Sequence, residues 1–151
     1  MSSKCRLFFP LLILFILTGP VLAGCQSNHA ATDTGHELTL APMADMPLEV
    51  QQAPVKVRES YQFAVANPEV MKQIPCYCGC GAMGHTSNYS CYVADPGAND
   101  KFIYDPHALG CSICVDITQD IMRLLKQGKA VPEIRAYIDQ TYAKFGPSNM
   151  P

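Results

Sequence analysis

The chain has 151 residues, a formal net charge of −2, 12 prolines, 8 cysteines and no tryptophan. That length suits one small domain. No basic run supplies the concentrated positive footprint that nucleic acid requires, so nucleic acid is excluded as an expected partner.

In chain order, an export signal comes first. Met1–Arg6 is basic through Lys4 and Arg6, Leu7–Leu17 is almost wholly apolar, and Leu22-Ala23-Gly24-Cys25 follows. A basic n-region, an apolar h-region and a small-residue cleavage site read as a signal peptide. Pro10, Gly19 and Pro20 interrupt a run that is barely long enough to span a bilayer, which argues against a retained transmembrane helix. LAGC resembles the bacterial lipobox. That resemblance implies removal of residues 1–24 and lipidation of Cys25, which would anchor the rest to the outer face of a bacterial membrane. Gln26 would permit sorting to an outer membrane in a cell that has two.

Residues 25–54 are expected to be the lipidated N-terminus and a flexible linker, being polar and without sustained period. His29, His36, Met43 and Met46 read as contents of a spacer rather than as a metal-gathering arm. Residues 55–151 are expected to form the folded domain. Val57, Tyr61, Ala64 and Val65 recur at helical spacing and predict a helix over Val55–Ala66. Asn67-Pro68 should end it and start a short one over Pro68–Gln73, with Asn67 as N-cap. Ile113, Ile117, Ile121, Leu124 and Leu125 share one face of a predicted helix over Ser112–Gln127, stopped by Gly128. Ile134, Ile138, Thr141, Tyr142 and Phe145 form the expected buried stripe of a last helix, Pro132–Phe145. The short connection between these two predicts an antiparallel hairpin.

Pro75–Gly110 lies between the helical ends and shows little periodicity. A structureless loop of that length is unusual inside a compact domain, so something else must organise it. Cys76, Cys78, Cys80, Cys91, Cys111 and Cys114 are in or beside it, with His85 and His107. The fold expected is mainly α: a small helical domain with a C-terminal helix hairpin and a long Cys/Gly-rich loop stapled by metal or disulfides. In an extended run Cys76, Cys78 and Cys80 project to one side. Convergent sulfurs suit a soft transition metal: Zn(II), Cu(I) or an iron–sulfur cluster. Cys111-Ser112-Ile113-Cys114 adds a C-x-x-C pair at a helix start, where thiolate is favoured. His85 and His107 are candidates to complete an S/N shell. An exported chain with an even cysteine count equally supports disulfides, giving a stapled, non-enzymatic interaction domain. Thiol–disulfide exchange by Cys111 and Cys114 is the third reading, although no βαβ pattern surrounds them. No paired-carboxylate site, phosphate-binding glycine loop or serine nucleophile motif points to another enzyme class.

The segments PCYCGC (residues 75–80), Gly84-His85, Asn88, Cys91-Tyr92-Val93, His107-Ala108 and CSICVDI (residues 111–117) carry a resemblance, with Ile134-Arg135 and Ile138-Asp139. They are similar to a bacterial family named for its PCYCGC motif, over about residues 61–145. The resemblance implies one undivided domain and a lipoprotein. It implies no activity, because the family is described as of unknown function, and it names no protein partner.

Overall fold

The computed structural model describes residues 37–95, 97 and 102–150, all within the unit Asp33–Pro151. The signal peptide, Cys25, His29 and His36 lie outside the described residues. The described chain is mainly helical. Its helices are α1 (Leu48–Gln51), α2 (Val55–Ala66), α3 (Pro68–Met71), α4 (His107–Gly110), α5 (Ser112–Lys126) and α6 (Val131–Tyr142). Strands β1 (Val93–Asp95) and β2 (Ile103–Tyr104) pair antiparallel, with Val93 opposite Tyr104.

Helix α5 is central and packs against both α2 and α6. This is why its buried set is wider than one stripe. Cys114, Val115, Ile117, Thr118, Ile121, Met122 and Leu124 are all buried, while Ile113 and Leu125 are only partly covered. Gly128 takes φ +75° at its end. The amide of Gly128 donates to Leu125 O and that of Lys129 to Leu124 O, which makes a Schellman cap. Arg123 stacks on Tyr137, and the Tyr142 hydroxyl donates to Asp120 Oδ2. Later residues of α6 therefore meet earlier residues of α5, so the pair is antiparallel as expected.

Several details differ from the sequence expectation. α6 ends at Tyr142, and a 3₁₀ turn over Ala143–Phe145 swings Phe145 out, leaving it 51% exposed. Asn67 stands at the N-cap of α3 as expected, but its side chain makes no capping bond there; its Nδ2 donates to Phe63 O at the end of α2 and to Thr39 O. Part of the expected linker also belongs to the folded unit. Met46 and Val50 are buried in the core, and Ala41 bonds through its backbone to Gln62 on α2. Two apolar residues are too few to show a period; Met46 is buried just after the 3₁₀ turn Met43–Asp45, and Val50 is buried on α1. Met46 is thus a core residue rather than a spacer or metal-arm residue.

The 36-residue loop has local structure that no period announces. Two 3₁₀ turns, Cys80–Met83 and Tyr89–Cys91, precede the β1–β2 hairpin and α4. Asp95 Oδ1 accepts from the Gly97 amide at 2.8 Å, an Asx turn that begins the reversal of the hairpin.

Candidate metal centre

The motif strand begins extended and then bends. Gly79 adopts φ +84°, a left-handed conformation that costs a glycine little. The chain therefore enters a 3₁₀ turn at Cys80 instead of continuing as a strand. Alternation survives for Cys76 and Cys78, whose sulfurs lie 3.4 Å apart. Cys80 joins them through the turn, the three sulfurs lying within 4.8 Å of one another.

Three other segments deliver the remaining donors. The 3₁₀ turn Tyr89–Cys91 presents Cys91, whose Sγ is 3.7 Å from Cys80 Sγ. Helix α4 starts with His107, whose Nε2 is 3.3 Å from Cys78 Sγ. Cys111 flanks the start of α5, and Cys114 lies in its first turn, 3.4 Å away. Cys114 Sγ is also 3.2 Å from Cys76 Sγ and 3.5 Å from Cys78 Sγ. His85 stands edge-on to His107, with ring centroids 5.1 Å apart. The structure thus gathers all six cysteines and both histidines of the candidate set.

These separations are too long for bonded sulfurs and are compatible with ligands that share an ion. A disulfide needs about 2 Å between sulfurs. Two thiolates on one tetrahedral zinc, each about 2.3 Å from it, stand about 3.8 Å apart. All six cysteines are free, and the observed separations run from 3.2 to 3.7 Å. Groups of three or four Cys and His donor atoms within 4.8 Å of one another can hold a metal ion, and the cluster contains four such groups.

One atom tests the fit independently. His85 is buried, and its Nε2 lies 3.3 Å from Asp105 Oδ2. Its Nδ1 is buried without any hydrogen-bond partner. With the Nε2 proton directed to the carboxylate, Nδ1 keeps a bare lone pair, and the ring belongs to the group of donors formed by Cys80, His85, Cys91 and His107. An orphaned buried acceptor is costly. A carboxylate–histidine pair with the other nitrogen unfilled is the usual support of a metal-ligating imidazole. A metal ion would resolve that lone pair.

The thiols share protons as crowded groups do. Hydrogen bonds from Cys114 and Cys91 hold Cys76 far below the ordinary thiol range. A hydrogen bond from Cys91 lowers Cys80 to about 7. The donors are pushed up: Cys91 by its bonds to Cys114, Cys76 and Cys80, and Cys114 by its bond to Cys76. Cys78 is raised mainly by burial, then by negative charge on Cys76. Thiolate character therefore falls on Cys76, which accepts from several neighbouring thiols. A cation there takes over the work of the shared protons.

Two supporting residues were not legible as such. Asp105 follows β2 and is held by backbone bonds from its own amide to Tyr92 O and from the Tyr61 hydroxyl to its carbonyl. Its Oδ1 accepts from the His107 amide at 2.8 Å, so one carboxylate steers both histidines. Asn149, in the C-terminal tail, closes the other side. Its Oδ1 accepts from the Cys76 amide at 2.7 Å, its amide donates to Cys76 O, and its Nδ2 donates to Ser87 O and to Cys80 Sγ. The tail passes the motif so closely that a Cβ on Gly146 would stand 2.9 Å from Tyr77 O. Behind the cluster, the Tyr92 hydroxyl and Thr118 Oγ1 both donate to Cys114 O, and Asn88 Nδ2 donates to Thr118.

A family model described as a protein of unknown function with a PCYCGC motif matches residues 13–151. The chain belongs to this family. No curated protein and no solved structure matches it. The PCYCGC motif has a defined geometry here. Pro75 ends the run after α3, Cys76 and Cys78 supply adjacent donors, Gly79 turns the chain and Cys80 reaches the second half of the cluster. Tyr77 points the other way, its hydroxyl donating to Asp139 Oδ1 on α6 at 2.7 Å. Burial and that bond push Tyr77 up to about 12. The tyrosine thus anchors the motif to the hairpin, which leaves the cysteines facing inward.

Proposed function

We propose that this chain is an exported, lipid-anchored protein whose domain binds a soft transition metal through its cysteine and histidine cluster. The observation that carries the metal reading is the buried His85, whose ring belongs to the donor group with Cys80, Cys91 and His107, whose Nδ1 lacks a hydrogen-bond partner and whose Nε2 faces Asp105. Thiolate-rich sites with imidazole suit Zn(II) or Cu(I), and thiolates alone suit iron–sulfur chemistry. The anchor reading is supported by the basic start, the apolar run and Leu22-Ala23-Gly24-Cys25. On this reading, lipid on Cys25 places the domain at the outer surface of a membrane. There the ion would serve either the fold or metal handling.

A second reading, a disulfide-stapled interaction domain, draws support from the 3.2 Å approach of Cys76 and Cys114. Exchange chemistry by Cys111 and Cys114 draws less. Cys114 is buried and its thiol is pushed up by its bond to Cys76, and the only sheet among the described residues is a two-stranded hairpin.

The deciding experiment uses the full chain, purified in detergent without oxygen and without added reductant, so that any bridge present in the cell is kept. Its mass is measured under native and denaturing conditions with elemental analysis alongside. Stoichiometric metal in the native spectrum, with free thiols after denaturation, supports the metal reading. Metal-free protein lighter by about two mass units per bridge, as each disulfide loses two hydrogens, would replace it with the stapled domain.

A further inference from the structure

We infer that the cluster is a two-ion centre with unlike sites, an inner one sealed in the core and an outer one open to exchange. This rests on the metal reading above. A tetrahedral ion takes four donors. The cluster offers six sulfurs and two imidazoles, enough donors for two shells of four. Cys78, His107, Cys111 and Cys114 lie within 4.8 Å of one another and form the outer shell. Cys80, His85 and Cys91 also lie within 4.8 Å of one another, and Cys76 lies within that distance of both Cys80 and Cys91. These four form the inner shell. His107 lies within reach of the inner cysteines too, but its Nε2 is 3.3 Å from Cys78 and a neutral imidazole has one lone pair to give. His85 commits Nε2 to Asp105 and keeps Nδ1 for the inner shell. Each shell then has three sulfurs and one imidazole, a set that suits Zn(II).

The shells differ in access. Every inner donor is buried: Cys76 at 0%, Cys80 at 2%, His85 at 8% and Cys91 at 0% exposure. In the outer shell only Cys114 is buried, while Cys78, His107 and Cys111 are partly exposed. A surface groove of about 210 Å³, lined by Lys56, Leu109, Gly110, Cys111 and Ser112 among others, leads to Cys111. A chelator or an acceptor thiol reaches the outer ion along it without unfolding. Releasing the inner ion requires opening the core around the motif, and such local opening is a rare event. The inner ion therefore secures the motif to residues 85–91. The outer ion ties the motif to α4 and α5, and it is the one that exchanges.

The test uses the reduced, metal-free full chain, reloaded with Zn(II), desalted and challenged with an excess of a chromogenic chelator. Two equivalents of zinc are expected, leaving in two phases of equal amplitude whose rates differ by roughly 100-fold or more, because only one requires local opening. Cys111→Ser should abolish the fast phase and keep the slow one. One equivalent in total, or two leaving in a single phase, overturns the division while leaving the metal reading intact. So does loss of the slow phase in Cys111→Ser. If that variant fails to fold, the two phases of the unaltered chain still decide. If zinc does not bind but Cu(I) does, the two-ion tetrahedral centre is wrong and metal binding stands. If the reduced chain binds neither, both are wrong.

Discussion

Asp105→Asn tests whether His85 is a metal ligand or a buried histidine satisfied by a carboxylate. Asparagine keeps the shape and can keep an oxygen on the His107 amide, where Asp105 Oδ1 now accepts at 2.8 Å. The backbone bonds to Tyr92 O and from the Tyr61 hydroxyl do not depend on the side chain. What changes is the atom facing His85 Nε2, now a carboxylate oxygen at 3.3 Å. An amide NH₂ there would donate, so Nε2 would have to accept and the ring proton would move to Nδ1. A protonated Nδ1 cannot ligate. Loss of a supporting carboxylate typically weakens metal binding by about 10–100-fold, which is roughly 1.4–2.8 kcal/mol. The metal-free fold exchanges a hydrogen bond to a carboxylate for one to an amide, a change of at most about 1 kcal/mol. Chelator competition on the full chain reads the affinity, and thermal unfolding of the metal-free chain reads the fold. Asp105→Asn should weaken binding of the ion that leaves slowly, with little change in the metal-free melt. Unchanged affinity would refute His85 as a ligand. Collapse of the metal-free protein would make Asp105 a structural residue first.

Asn149→Ala should destabilise the domain by about 2–3 kcal/mol, because it leaves the buried Cys76 amide without its acceptor and removes the bond to Ser87 O. Thermal unfolding checks this, and a melt within one degree of the parent would show that the tail is dispensable. Gly146→Ala puts a Cβ 2.9 Å from Tyr77 O, so backbone must move. A cost of about 1–3 kcal/mol is expected, as for other overpacked sites, with reduced metal retention measured after desalting. Glu133 accepts from the Ala130 amide and from Lys129 at the start of α6, which lowers its carboxyl below the usual range, the backbone bond contributing most. A lowered folded-state pKa means stability that is present above the unfolded value and lost as pH falls through the folded one. Glu133→Gln should therefore melt slightly lower than the parent at neutral pH, and the difference should shrink in acid. A gap that grows in acid would reverse the assignment.

The sequence read well where local chemistry decides the structure. α2 runs over Val55–Ala66 as its period predicts, and α5 runs from Ser112 to Lys126. Gly128 stops α5 because a Schellman cap needs a left-handed residue there. Cysteine spacing also located the cluster, since only unusual chemistry places thiols at residues 76, 78 and 80. Other features depend on long-range partners and leave no local trace. Asp105 looks like the end of a turn in YDPH until the fold brings His85 to it from 20 residues away. Asn149 resembles tail filler until it pairs with Cys76, 73 residues distant. Met46 and Val50 read as linker because two apolar residues do not establish a period, yet a surface on the core was waiting for them. An Asp or Asn within a Gly/Pro-rich stretch is the one available signal, and it is shared with every ordinary turn.

On the export reading proposed above, the compartment and the cluster would make opposing demands, which a bound metal would reconcile. Oxidising compartments turn neighbouring thiols into disulfides. Sulfurs 3.2–3.7 Å apart need little movement to bond, and Cys76 already carries the thiolate character that such chemistry uses. Yet any bridge would consume two donors and leave the His85 Nδ1 lone pair buried among fewer partners. Coordination engages the thiolate lone pairs without joining the sulfurs and gives that nitrogen its bond. On the export reading, loading should thus precede oxidation. Zinc-loaded chain exposed to a mild oxidant should keep its free thiols, counted after denaturation, whereas metal-free chain should lose them. Equal loss from both would mean that the cluster is built to be bridged.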